Sequence, residues 1–299
     1  MNQARNPKGL IWLLLLAVSW PLNTLAGGNE TTAIVVEDVG FATPESVEYY
    51  ADEDVYLVTN INGSPFDAAG NGFISKIKPD GTVINLKWID GAKDGITLHS
   101  PKGAAIVDNL LFVTDRNQVQ IFELPSGTQK ASVTIESSVF LNGITPAGDG
   151  SVYVTDSGYL EEFKASGTDG IYKVSANGDH QLIINDADMG HPNGVLVKGD
   201  ELLVVSFGSG ELYSVNSSGG INKLPTPPSG NLDGLVELHK GQYAMSSWGG
   251  SAIYVYHPDG SFSTLTEAVD APADLGIDTK RQRLLIPLFK QDKVIIQPY

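Results

Sequence analysis

The chain contains no cysteine. That excludes a disulfide framework, a thiolate metal centre and a cysteine nucleophile. Positive charge is also scarce: 19 Lys and Arg stand against 35 Asp and Glu, for a formal net charge of −16. Such a surface repels nucleic-acid phosphates and anionic lipid, so neither is expected as a partner. There is no Gly-x-Ser-x-Gly elbow, no His-Glu-x-x-His and no EF-hand pattern, which removes the common signatures of serine hydrolases, zincins and calcium-binding helix pairs. Long apolar runs are equally rare. The one candidate is Leu10 to Trp20, preceded by Arg5 and Lys8 and followed by Thr24-Leu25-Ala26. It falls well short of the roughly 20 residues that span a bilayer and reads as a signal peptide over residues 1–26. Export to the periplasm, or secretion, is the expectation. A disulfide-free exported chain must then be stabilised by core burial, and this one is long enough.

What the sequence does have is a repeat. A short motif recurs as Pro44-Glu45-Ser46, Pro101-Lys102-Gly103, Leu141-Asn142-Gly143, Pro192-Asn193-Gly194, Leu232-Asp233-Gly234 and Ala273-Asp274-Leu275. The copies are roughly 40–57 residues apart, a period that signals solenoids, propellers or arrays. Between them lie short β-branched and aromatic runs bounded by Gly, Pro, Asn and Asp. In the second repeat these are Gly103 to Val107, Leu110 to Asp115, Gln118 to Phe122 and Ala131 to Ile135. The last repeat, from Ala271 to Tyr299, lacks room for a fourth strand, and Thr31 to Val39 is a spare strand ahead of the first. Residues 31–299 are therefore read as an all-β, six-bladed β-propeller whose N-terminal strand completes the last blade. Radial closure of this kind protects sheet edges.

In a propeller all six polar residues of the motif face one axis: Glu45, Lys102, Asn142, Asn193, Asp233 and Asp274. The first and third repeats carry insertions after the second strand, Asn62 to Gly72 and Tyr159 to Gly170. Strands alternate in direction, so both insertions are expected to rim the mouth bearing this ring. Asn60, Asp115, Asp156, Phe207 and Trp248 fall at or just past the ends of second strands. Asp115 and Asp156 also read as caps for turn amides. Glu45, Asn193 and Asp233 supply three oxygen donors from blades 1, 4 and 5. Hard divalent cations take such carboxylate and amide oxygens, and several carboxylates sharing a site are relieved by one. Singly, each Asn-Gly or Asp-Gly also reads as a turn. His191, the histidine nearest the ring, reads either as a proton shuttle or as an ordinary surface residue.

These blade-start motifs resemble the senescence marker protein (regucalcin)/gluconolactonase superfamily of six-bladed propellers. The resemblance covers most of the chain after residue 26. It implies that Glu45, Asn193 and Asp233 hold one divalent metal, calcium first, with manganese, magnesium or zinc as alternatives. It further implies that Asn142 contacts substrate. The pattern departs from the family at Glu45-Ser46-Val47, where Glu-Gly-Pro is usual, and at Leu232, where Pro is usual. The family's arginine-rich substrate contacts have no clear counterpart, although Lys102 lies in the ring. The expected activity is metal-dependent hydrolysis of a small-molecule lactone or related ester by a monomer. Asp233 is the general base, and Asn142, Lys102, Asp274 and Trp248 are substrate contacts. The chain also resembles NHL-type and strictosidine-synthase-like propellers, which makes a non-catalytic binding propeller the alternative.

Overall fold

The computed structural model describes Met1, residues 32–239 and residues 241–299. Apart from Met1, the segment read as a signal peptide lies outside the described residues. Six four-stranded antiparallel sheets account for nearly all of the secondary structure. Blade 1 runs Pro44–Tyr50, Val55–Asn60, Phe73–Ile77 and Val83–Asp90 from the axis outward. Blades 2 to 5 repeat that order, with inner strands Pro101–Val107, Leu141–Pro146, Pro192–Lys198 and Leu232–His239. Blade 6 has three C-terminal strands, Gly276–Asp278, Arg283–Leu288 and Lys293–Pro298. Its fourth is Ile34–Val36, paired antiparallel with the last so that Ile34 faces Ile296. The spare N-terminal strand thus closes the ring as the repeat arithmetic predicts, in a shorter span.

The apolar half of each strand's alternation fills the spaces between blades. The buried apolar residues described form six clusters, one at each blade–blade interface. Phe112, Val119 and Ile121 of blade 2 pack on Leu141, Val152 and Val154 of blade 3, for example. Each such side chain contributes about 1.5–3 kcal/mol by leaving water. The closing interface adds a polar clasp. The Tyr56 hydroxyl of blade 1 donates to Asp278 Oδ2 of blade 6 at 2.7 Å. Arg281 spans Asp278 and Asp54, at 2.9 and 2.6 Å.

Two local devices fix the ring residues. The first is a register shift at the start of the inner strand, between Pro44 and Val47, Pro101 and Ala104, Leu141 and Ile144, Pro192 and Val195, and Leu232 and Leu235. Each shift brackets the motif's polar residue, and such irregularities re-aim side chains. The second is a latch to the next blade. Thr59 Oγ1 donates to the Lys102 carbonyl at 2.9 Å, Thr114 to that of Asn142 at 2.6 Å and Thr155 to that of Asn193 at 2.7 Å. Ser246 does the same to Ala273 at 2.8 Å.

The motif glycines are not turn residues. A Cβ on Gly143 would lie 2.3 Å from the Asn193 carbonyl oxygen, and one on Gly234 would lie 2.2 Å from the Leu275 nitrogen. Glycine stands there because the neighbouring inner strand passes too close for any side chain.

Candidate functional site

Five of the six motif residues gather at one end of the axis. Glu45, Lys102, Asn142, Asn193 and Asp233 line a common cavity of about 40 Å³ with Phe140, Tyr159, Phe207, Trp248 and other residues. All five are buried. Asp274 behaves differently. It precedes its blade's inner strand, and a parallel bridge joins it to Ser46. It lines the opposite opening of the axis with Glu48, although its charge still reaches Glu45 and Asp233.

Three of the oxygens at the ring have no hydrogen-bond partner: Glu45 Oε2, Asn142 Oδ1 and Asn193 Oδ1. The two amides are held by their nitrogens. Asn193 Nδ2 donates to Asp233 Oδ1 at 3.1 Å, and Asn142 Nδ2 donates to Ser157 Oγ at 3.1 Å. Ser157 Oγ in turn donates to the Pro192 carbonyl at 2.6 Å. Buried polar atoms are almost always satisfied. Unpaired carboxylate and amide oxygens around a space of about one water's size are what a hard cation needs. The donor set therefore fits the divalent metal predicted from Glu45, Asn193 and Asp233. Among the described residues no cluster of three or more His, Cys, Asp or Glu is arranged for a metal, so the amide oxygens are indispensable to such a site.

The electrostatics agree. Burial, then the charges of Asp233 and Asp274, push the Glu45 carboxyl well above its ordinary range, against the pull of Lys102. Burial and Asp274 do the same to Asp233, while Trp248 and Asn193 oppose. The Trp248 indole N–H makes no hydrogen bond within bonding geometry, yet it is near enough to favour the Asp233 carboxylate. Burial raises Asp274 to about 7. Lys102 is lowered to about 8 by burial, partly offset by Asp115 and Glu45. Its Nζ lies 4.3 Å from the Phe140 ring centroid and donates to the Ser100 carbonyl at 3.2 Å. A divalent cation would remove the mutual repulsion of these carboxylates.

Asp115 and Asp156 are caps. Asp115 accepts from the His99 and Ser100 amides, both at 2.8 Å, and Asp156 accepts from those of Val139 and Phe140 at 3.2 and 2.9 Å. Asn60 holds the Ala42 amide in the same way at 3.0 Å. The residue after each of these positions is the one near the mouth: Ile61, Arg116, Ser157, Phe207, Trp248 and Phe289. Sequence reasoning found Phe207 and Trp248 and missed the other four. Lining up the ends of the second strands one residue later would have found them.

An aromatic collar sits over the ring. Phe66 packs on Phe140 and Phe163, both at 5.1 Å between centroids. Tyr159 meets Phe163 at 5.3 Å and stacks on His191 at 4.1 Å. Phe207, Trp248 and Phe289 continue the arc at 5.3 and 5.1 Å. Both insertions contribute, as predicted. The 62–72 loop is closed at its base by reciprocal amide bonds between Asn62 and Asn71. The 159–170 loop forms a small hairpin, Tyr159–Leu160 with Lys164–Ala165. His191 Nδ1 lies 2.7 Å from the Ser157 carbonyl. A carbonyl only accepts, so Nδ1 carries the proton, and the imidazole serves to back Tyr159.

This is the fold of the gluconolactonase-like propellers. The Xanthomonas campestris gluconolactonase superposes with a TM-score of 0.68 at 16% identity, over 89% of this chain and 89% of that one. Virginiamycin B lyase from Staphylococcus aureus gives 0.60 at 14% identity, over 89% and 98%. A streptogramin B lyase gives 0.61 at 11%, over 89% and 96%. No protein-family model and no curated protein matches the sequence. At these identities the likeness speaks for the fold, and residue roles must come from this chain's own geometry.

Proposed function

We propose that the protein is an exported, metal-dependent hydrolase of lactones or related esters. The observation that carries the reading is the set of unpartnered oxygens of Glu45, Asn142 and Asn193 beside Asp233. Glu45, Asn193 and Asp233 would hold a divalent cation, with calcium the first candidate. Such a cation, when bound, polarises a carbonyl and lowers the pKa of water. Asp233 accepts the proton of the water that attacks the acyl carbon and returns it to the alkoxide released as the C–O bond breaks. Asn142, anchored through Ser157, orients the substrate. Lys102, with a pKa near 8, presents a cation beside the developing negative charge. Trp248 closes one wall. The solved neighbours include a gluconolactonase, a streptogramin B lyase and a virginiamycin B lyase, which supports small-molecule chemistry at this mouth.

The test is turnover of a panel of sugar and aliphatic lactones by the purified protein after chelation, and again with calcium, manganese, magnesium or zinc restored. Metal-restored turnover is expected. Absence of both turnover and metal binding would favour the second reading, a binding propeller. The observation behind that alternative is the aromatic collar, which leaves only about 40 Å³ at the ring.

A further inference from the structure

The ring cavity, at about 40 Å³, is far below the roughly 300–1,000 Å³ that small-molecule sites occupy. A substrate's bulk must therefore lie elsewhere. Next to it is an open vestibule of about 510 Å³, which shares Pro65, Phe140 and Tyr159 with the ring cavity. Its further walls are apolar at Phe66 and Leu160 and polar at Arg116, Asn117, Ser138 and Glu161.

Three observations mark this space as built for a ligand. The hairpin beside it keeps two large apolar side chains in water, Leu160 at 47% and Phe163 at 53% exposure. Phe163 also adopts φ 56° after Glu162 at φ 61°, a conformation that costs bulky residues energy and is concentrated at ligand sites. Finally, Arg116 makes no ion pair among the described residues, in a chain with a net charge of −16. Its field reaches the ring, where it disfavours the charged form of Lys102.

Building on the hydrolase reading, we infer that the vestibule is the substrate's second subsite and takes an apolar arm, alkyl or aryl, that ends in an anionic group held by Arg116. The preferred substrate class is then amphiphilic lactones or esters with an acidic tail. Polyhydroxylated sugar lactones are disfavoured wherever their hydroxyls would lose water against Phe66, Phe140 and Leu160.

The experiment measures binding separately from turnover. Lactam counterparts of γ-lactones with ethyl, butyl, hexyl and octyl arms, each ending in a methyl or a carboxylate, are titrated calorimetrically into the metal-loaded protein. A sugar lactam is the reference. Affinity should rise about fourfold for each methylene buried, and the carboxylate-ended arm should bind about tenfold tighter than the methyl-ended one. Leu160→Asp, at an exposed position, should weaken the long arms alone. Arg116→Asn, which suits the position's φ of 58°, should abolish the carboxylate preference alone. Affinity independent of arm length, or tighter binding of the sugar lactam, overturns the subsite. Arm-dependent binding with no turnover of the matching lactones removes the hydrolase reading and leaves the subsite standing. Turnover indifferent to the arm does the reverse.

Discussion

The axis of this propeller has two ends, made by the same inner strands and both acidic, and they differ in what is left unsatisfied. At one end Glu45, Asn142 and Asn193 present unpartnered oxygens in a space of about 40 Å³ under an aromatic cover. At the other, Glu48 and Asp274 line an opening of about 440 Å³. Burial raises Glu48 too, so raised carboxylates alone do not distinguish the ends. The difference lies in confinement and in the amides. Register shifts aim Asn142 and Asn193 at a narrow space, and hydrogen bonds occupy their nitrogens so that only oxygen remains. A space that holds about one water cannot hydrate several unpaired oxygens at once, and an ion satisfies them best. In the wide opening, solvent can serve. Acidity attracts cations to both ends, but geometry builds a site at one.

The comparison can be broken most sharply at Asp233. Asp233→Ala should reduce lactone turnover by about 10³-fold or more, since the loss of metal-assisted catalysis is worth several kcal/mol. Thermal unfolding should stay cooperative, because the change removes a buried charge among like charges. Full activity in this variant would show that the ring is not the reacting end. At the opposite end, Glu48→Gln should change turnover and calcium affinity by less than about twofold, the separation and solvent there weakening its field.

Next in size is the scaffold. Asp115→Ala leaves the His99 and Ser100 amides without acceptors and should cost about 2–3 kcal/mol in urea unfolding. Thr114→Val removes one latch to the Asn142 carbonyl and should cost about 1 kcal/mol. If the latch positions the ring, calcium affinity should weaken along with stability. Unchanged affinity would make it a structural bond alone.

The last effect is a pH dependence. Asp274 has a folded-state pKa of about 7 against an ordinary 3.8. The folded form therefore binds more protons than the unfolded form, and stability falls as pH rises from about 4 through about 7. In chelator, the Tm should drop by several degrees across that window, at about 2–4 °C for each kcal/mol lost. Asp274→Asn should lessen the slope, with Glu45, Asp233 and Glu48 supplying the remainder. Calcium should restore stability most at the upper end, where the ring carboxylates are ionised. A chelated protein whose Tm rises across the window would contradict the assigned shift.

Much of this was legible in the chain because a propeller writes its architecture periodically. The recurring polar residue, the turn-bounded strands and the spare segment before Pro44 each have a local cause, and together they gave blade number, closure and ring. The rims were legible too, since strand alternation carries the insertions at 62–72 and 159–170 to the ring's face. Asp274 was harder. It shares the motif's spacing, and a one-residue shift brackets it too, between the Pro272–Leu288 bridge and the Gly276–Leu285 pair, yet its blade's inner strand begins only after it, at Gly276. Phe140 was invisible because it meets the site through Lys102 of a neighbouring blade, and pairings across blades leave no period in the sequence.

The sequence by itself determined the repeat, the strand pattern, the excess of acid and the residue types at the axis, because these follow from local alternation and turn chemistry. Only the tertiary structure decided which oxygens remain unpaired, which end of the axis is confined and where an uncovered apolar wall meets Arg116. Those properties depend on what neighbouring blades leave unfilled, and close packing between segments far apart in the chain sets that.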